Sequence, residues 1–397
     1  MAASVAILPL TTAQPVAAAP YPAGNYIFSA NSGSNSLTIT DAATKTSTTV
    51  SVGTSPQAVA VNSSGTKAYV TNSTTVSAVD LTQNPPVVTS IAGFSSPVGL
   101  AFTPDGSGVY VANSGANNVV LINTSNDSTT TVSGAFNTPV GVAIAPDGSK
   151  VYVTNSGSTG TNANSVAVIP VTAGVPGTPT FPAALASTPS AYAAVMSPSG
   201  ARLYVTSNTS PGAVTVVNTT TDTKVGSAIT VGNNAQGAAI NPAGTRLYAT
   251  SNLPSGTVSV IDTSVASPVL LTTISTGIGA NPVGVAVNQS GTRVYVGNSG
   301  SSTLSVIDPS NNTVTSTITT GGTAPLGVTV ASVQVVASVS CPNSGSKVLG
   351  GGFDITGPAP TNLVSKAVTS SPNSWQVSFN NNSGQTNTVT PYVVCTA

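Results

Sequence analysis

The segment Pro139-Val-Gly-Val-Ala-Ile-Ala-Pro-Asp-Gly-Ser-Lys-Val-Tyr-Val-Thr-Asn155 reads as two antiparallel strands around one tight turn. Residues 141–145 alternate small apolar side chains, as a strand at a crowded centre requires. Pro146-Asp147-Gly148 makes the turn: proline fixes one backbone angle and glycine tolerates a positive one. Residues 151–154 form the second strand. The same phrase returns as Pro282-Val-Gly-Val-Ala-Val-Asn-Gln-Ser-Gly-Thr-Arg-Val-Tyr-Val-Gly-Asn298. Its tyrosine marks a series, Tyr26, Tyr69, Tyr110, Tyr152, Tyr204, Tyr248 and Tyr295, each soon followed by an asparagine: Asn31, Asn72, Asn113, Asn155, Asn208, Asn252 and Asn298. Spacings of 43, 41, 42, 52, 44 and 47 residues fit one four-stranded repeat unit.

The other two strands of each unit are legible. A third ends on a hydrophobic run before Asp, as in Val258-Ser-Val-Ile-Asp262 and Leu304-Ser-Val-Ile-Asp308, and a Thr-rich fourth follows, as at residues 313–319. Period-two alternation buries Val, Ile, Leu and Ala between neighbouring units and leaves Thr and Ser in the more exposed positions. The chain enters on a second-type strand at Tyr26, whereas Pro325-Leu-Gly-Val-Thr-Val330 supplies an inner strand with no partner after it. Joined, these fragments complete one shared unit and remove the free sheet edges. The expected fold is all-β: a seven-bladed β-propeller closed by N- and C-terminal strands of one shared blade, plus a small C-terminal β domain.

Tyr69-Val-Thr-Asn72 and Tyr152-Val-Thr-Asn155, with the Pro-Asp-Gly turns and Val-Ile-Asp strand ends, resemble the YVTN-type β-propeller repeat proteins over about residues 24 to 331. The resemblance implies a seven-bladed propeller of the kind found in surface-layer and other exported microbial proteins. It implies no activity.

Composition narrows the chemistry. Charged residues are only 5% of the 397, all nine acidic residues are Asp, and there is no His. The side chains most used for proton transfer near neutral pH are therefore missing, and a Ser-His-Asp triad cannot be assembled. Lactonase-like and related hydrolytic propellers use metal-holding Glu, Asp or His in the channel, and the absence of Glu and His disfavours these, a lyase and an electron-transfer propeller alike. The nine basic residues are spread along the chain with net charge zero, so nucleic acid is not expected as a partner. Mean hydropathy is +0.27, yet no apolar run approaches the roughly 20 residues of a spanning helix. Isolated aspartates and two cysteines offer no metal-ligand cluster, so no cofactor is expected. Low charge weakens repulsion between copies and allows self-association.

Residues 1–20 carry an apolar stretch and Ala17-Ala18-Ala19 before Pro20, the pattern of a signal peptide or leader, though without a basic residue near Met1. The propeller is assigned to residues 21–332. Residues 333–397 break the period into short β-like runs, and Cys341 and Cys395 bracket them as a disulfide would. Such a link contributes roughly 4 kcal/mol in the chain-entropy model. Cys341-Pro-Asn-Ser-Gly-Ser-Lys-Val-Leu-Gly-Gly-Gly-Phe353, with Trp375 and Tyr-Val-Val-Cys395, resembles a small module at the ends of secreted bacterial proteins. Gly350-Gly351-Gly352 has no following Lys-Ser/Thr and reads as tight β packing.

The repeated tyrosines are expected to pack between blades. The asparagines are expected to pin the loops after the second strand, and some to line a polar, uncharged ligand face suited to a neutral glycan or a protein edge. Residues 155–164 and the Pro-rich stretch 170–189, containing Phe181, make the fourth repeat irregular, so Phe181 is a further candidate contact. The expected role is a secreted or cell-surface structural and binding scaffold. An inert scaffold whose C-terminal module mediates envelope attachment is the other noncatalytic reading.

Overall fold

A computed structural model describes residues 21, 24–83 and 85–333 with their side chains. Beyond these it describes the backbone of Val335–Ser340, Val348–Thr356, Leu363–Ser371, Ser374–Asn380 and Thr388–Cys395. Residues 24–333 form seven antiparallel sheets, each a blade. Their inner strands are Pro325–Val333, Ala58–Val61, Pro97–Phe102, Pro139–Ile144, Ala191–Met196, Ala235–Ile240 and Pro282–Val287, for blades 1 to 7 in turn. Each inner strand contacts the next, and the inner strand of blade 1 touches those of both blade 7 and blade 2, so the ring is closed. The closing blade runs Pro325–Val333, Gly24–Asn31, Ser36–Asp41, Ser47–Ser51. Its inner strand extends beyond the expected residues 325–330 to Val333, which pairs with Gly24 and is buried in the core.

The recurring phrase explains how neighbouring blades approach. A Cβ added at Gly99, Gly141, Gly237 or Gly284 would collide with a carbonyl oxygen on the next inner strand, of Val140, Tyr192, Val283 and Leu326 respectively. Glycine therefore sets the radius of the ring. Beside each of these glycines the pairing slips, with a bulge between Pro139 and Val142 and its equivalents. The threonine of the second strand repairs that gap in several blades. Thr154 Oγ1 accepts the Gly141 N–H at 2.7 Å and donates to the Tyr192 carbonyl of blade 5 at 2.6 Å. Thr71, Thr206 and Thr250 donate likewise to Val98, Gln236 and Val283. One hydroxyl thus satisfies a bulged strand and fastens the next blade, which would otherwise keep a buried group unpaired at a cost of about 1–3 kcal/mol.

Seven hydrophobic clusters fill the seven interfaces, and an aromatic side chain of one blade seals each against the next. Tyr69 packs on Val109, Val111 and Ile122, Tyr152 on Leu203, Val205 and Val217, and Tyr248 on Val294, Val296 and Ile307. Burying each such ring contributes about 1.5–3 kcal/mol. Blade 1 departs from the sequence expectation. Its sealing aromatic is Phe28, which packs with Ala68, Val70 and Val79. Phe28 pairs with Ile39 as Tyr110 pairs with Leu121, three residues before the loop asparagine in both cases. Tyr26 lies two residues earlier, opposite Asp41, with its ring 5.5 Å from that of Tyr21. It is a packed core residue in a different register from the other six.

After the propeller, Val335–Ser340, Ser374–Asn380 and Leu363–Ser371 form one sheet, and Val348–Thr356 pairs with Thr388–Cys395 in another. The expected leader at residues 1–20 and Cys341, hence the expected Cys341–Cys395 link, lie outside the described residues.

A stop codon after Val333 is expected to leave a soluble propeller with one cooperative melt, whereas a stop after Thr320 removes the inner strand of blade 1 and causes aggregation or severe destabilisation. Melting both truncations by circular dichroism checks this. Equal melts would contradict closure through the shared blade.

Candidate functional site

A propeller presents three places for a ligand: the channel, the end carrying the longer loops, and the end carrying the turns. The channel is built from the inner strands, whose sequences include AVAV, PVGLAF, PVGVAI, AYAAVM, AQGAAI and PVGVAV, with no Asp, Lys or Arg among them. Tyr192 is their sole titratable side chain, and burial raises its pKa. These walls supply no carboxylate or imidazole to act as acid, base or metal ligand.

The loop end joins second to third strands and fourth strands to the next inner strand. None of these connecting loops carries Asp, Lys or Arg. Among the described residues of the propeller, charge is confined to the strands and to the opposite end, where the turns hold Asp105, Asp127, Asp147 and Asp222. The loop end is thus polar through amide, hydroxyl and backbone groups alone.

The asparagines expected there divide into two sets. Asn31, Asn72, Asn113, Asn155 and Asn298 are buried. Asn31 Nδ2 donates to Ser36 and Thr38 at 3.1 and 2.8 Å, and Asn298 Nδ2 to Thr303 and Ser305 at 3.2 and 2.9 Å. Asn72 Nδ2 donates to Ser77 Oγ at 3.1 Å. Asn113 Oδ1 accepts the Ser95 N–H and Asn155 Oδ1 the Asn137 N–H, tying two loops together. These five set loop geometry from below the surface. In blades 5 and 6 that buried position belongs to Ser207 and Ser251, and Asn208 and Asn252 sit one residue further on, half-buried. Asn252 joins a group of amides: its Nδ2 donates to Gln236 Oε1, and its Oδ1 accepts from Asn281 Nδ2, both at 3.1 Å. Gln236 and Asn281 are half-buried too, so this group offers hydrogen-bonding atoms beside the channel mouth.

Phe181 is half-buried. It meets Phe136 edge-on at 5.7 Å and packs on the cluster between blades 3 and 4. The irregular segment instead replaces most of an outer strand: blade 4 keeps only Val175–Pro176, a bridge between Val168 and Thr180, and the short helix Ala183–Leu185 that buries Leu185.

The turn end contains a clamp that the sequence did not reveal. Lys67 Nζ and Tyr69 OH both donate to Asp127 of the next blade, at 2.7 and 2.5 Å. Lys150 and Tyr152 converge on Asp222 in the same way, at 2.9 and 2.7 Å. Burial, then the neighbouring carboxylate, pushes the pKa of Tyr69 and Tyr152 far above the ordinary range. Asp127 and Asp222 adopt φ of 58° and 52°, conformations that Asp tolerates better than most residues. Three-dimensional neighbours some 60 to 70 residues apart, they had no sequence signal beyond the Lys-x-Tyr spacing.

The fold defined by this arrangement is that of the seven-bladed β-propellers. Solved structures agree. A functionally unknown protein from Desulfotomaculum acetoxidans superposes with a TM-score of 0.66 at 17% identity, over 78% of this chain and 100% of its own. Hydrazine synthase from Kuenenia stuttgartiensis gives 0.61 at 22% identity, over 75% and 99%. A candidate 6-phosphogluconolactonase from Bacteroides uniformis gives 0.63 at 14%, over 77% and 99%. At such identities the likeness shows the fold alone. No protein-family model and no curated protein matches the sequence.

Hydroxyl and backbone N–H bonds hold the carboxyls of Asp105, Asp147, Asp262 and Asp308 below their usual pKa. The stability they give is complete above the unfolded value near 4 and is lost as pH falls through the lowered folded values. Burial raises the pKa of Tyr110, Tyr204, Tyr248 and Tyr295. Their contribution is complete below about pH 10 and is lost as pH rises beyond it. The melting temperature is therefore expected to stay nearly constant from about pH 5.5 to 8.5 and to fall at both extremes. A shift of many degrees inside that window, in a thermal scan series, would contradict this.

Proposed function

We propose that this chain is a YVTN-type propeller that acts without catalysis, as an exported scaffold at the cell surface whose loop end holds a neutral glycan. The observation that carries the reading is the absence of charge from every connecting loop at that end, combined with half-buried amides at Asn252, Gln236 and Asn281. A charged metabolite would find no counter-charge there, whereas sugar hydroxyls pair well with neutral amides and hydroxyls. An uncharged channel argues in the same direction, since hydrolytic propeller chemistry needs an acid, a base or a metal-holding carboxylate. The Ser, Thr and Asn-rich, charge-poor composition suits an envelope protein.

A neutral-glycan array and co-sedimentation with cell-envelope fractions test the proposal on the full chain. Binding is expected to be insensitive to chelator and to salt between about 50 and 500 mM, because no ion pair or metal contributes at the loop end. Asn252→Ala with Gln236→Ala is expected to weaken it about tenfold, the loss of one or two hydrogen bonds, with little change in melting. Salt-sensitive binding, or turnover of a lactone substrate, would contradict the reading.

A further inference from the structure

The interface between blades 3 and 4 lacks the clamp found on either side of it. Gly108 stands opposite Asn123 where Lys67 stands opposite Asp80 and Lys150 opposite Pro170. The outer turn of blade 4 is Ala173-Gly174, where blades 3 and 5 supply Asp127 and Asp222. The tyrosine is nevertheless retained. Tyr110 is 1% exposed and its hydroxyl has no hydrogen-bond partner, a condition that costs about 1–3 kcal/mol in a buried site.

The space left by the missing groups is a cavity of about 700 Å³ at the turn end, lined by Gly108, Tyr110, Leu121, Ala173 and Gly174. Asp105 and Asp147 line it as well, and no Lys or Arg does. Their carboxylates keep their charge through mild acid, because Thr103 and Ser107 hold Asp105, and Ser149 holds Asp147, in the ionised form. Ser107, Ser125, Ser128, Ser149 and Thr130 also line the cavity, the hydroxyls of Ser107, Ser125 and Ser149 donating to Asp105, Asn123 and Asp147. Tyr248 also has an unpartnered hydroxyl, but its blade keeps Arg246, which pairs with Asp262.

We propose that this cavity binds a protonated primary amine on a small hydroxyl-bearing molecule, the chemistry of an amino sugar. Its ammonium stands where the lysine ammonium stands in blades 2 and 4, donating to the Tyr110 hydroxyl in the field of Asp105 and Asp147. The serine and threonine hydroxyls meet the body of the ligand. Leu121 is the side chain that yields, since a Cβ at position 108 would lie 2.8 Å from its Cδ1. This site is at the opposite end of the propeller from the neutral-glycan surface and does not depend on it.

Calorimetric titration of the full chain at pH 7 with glucosamine, N-acetylglucosamine and cadaverine tests the proposal. Glucosamine is expected to bind about tenfold more tightly than its neutral N-acetyl form, and about fivefold more tightly than cadaverine, which lacks the hydroxyls. Tyr110→Phe, and Asp105→Asn with Asp147→Asn, are each expected to weaken glucosamine binding about fivefold, the first with an equal or higher melting temperature because an unpartnered hydroxyl is removed, the second with a slightly lower one. Gly108→Lys with Leu121→Val supplies the lysine from the chain and is expected to abolish it. Equal affinity for glucosamine and N-acetylglucosamine, no glucosamine binding up to about 10 mM, or unchanged affinity in the Tyr110→Phe protein would overturn the assignment. Cadaverine binding as tightly as glucosamine would overturn the hydroxyl-bearing body.

Discussion

Every interface in this molecule depends on the pairing of Gly24–Asn31 with Pro325–Val333. A propeller blade buries its two faces only against two neighbours, so an open array would expose one apolar face at each end. The closing pair removes both exposed faces at once. It brings Ile27 against Tyr295 and Leu304 of blade 7, and Phe28 against Ala68 and Val70 of blade 2. The glycines and threonines of the inner ring then operate on a fixed radius, because no blade can retreat from its neighbour without opening the pair.

The repeat also keeps charge away from the loop end. The turn end holds the lysines and aspartates of the interblade clamps, and the loop end is left with neutral groups. These clamps are partly solvent-exposed, so each contributes modestly. Their larger effect is geometric: Lys67, Tyr69 and Asp127 fix how one blade sits on the next. Where the clamp is missing, between blades 3 and 4, a cavity takes its place. One end therefore provides a neutral surface and the other an acidic recess, from the same repeat.

The fold was legible because strand alternation, turn chemistry and repeat length all depend on nearby residues. Reading blade 1 by tyrosine alone misplaced its register: counting three residues back from Asn31 leads to Phe28, an aromatic that fills the same space without the hydroxyl. Asn208 and Asn252 were one residue late for the same reason, since Ser207 and Ser251 occupy the buried position. The loop end's neutrality could be read from composition. The burial of five asparagines could not, because hydrogen bonds such as Asn113 to Ser95 form between loops only once the strands are paired. The packing of Phe181 could not be read either, because its partner Phe136 comes from the preceding connection. The cavity was invisible for a related reason: Gly108 and Gly174 announce nothing singly, and they line one cavity only once blades 3 and 4 are side by side.

Native-state hydrogen exchange tests the closing pair most directly. If the ring is one cooperative unit, the hydrogen-bonded amides of residues 26–30 and 327–331 exchange only through global unfolding, with the same denaturant dependence as residues 151–154 in blade 4. Terminal strands merely laid against the array would instead exchange through local opening, much faster and with little denaturant dependence, and that result would contradict the account.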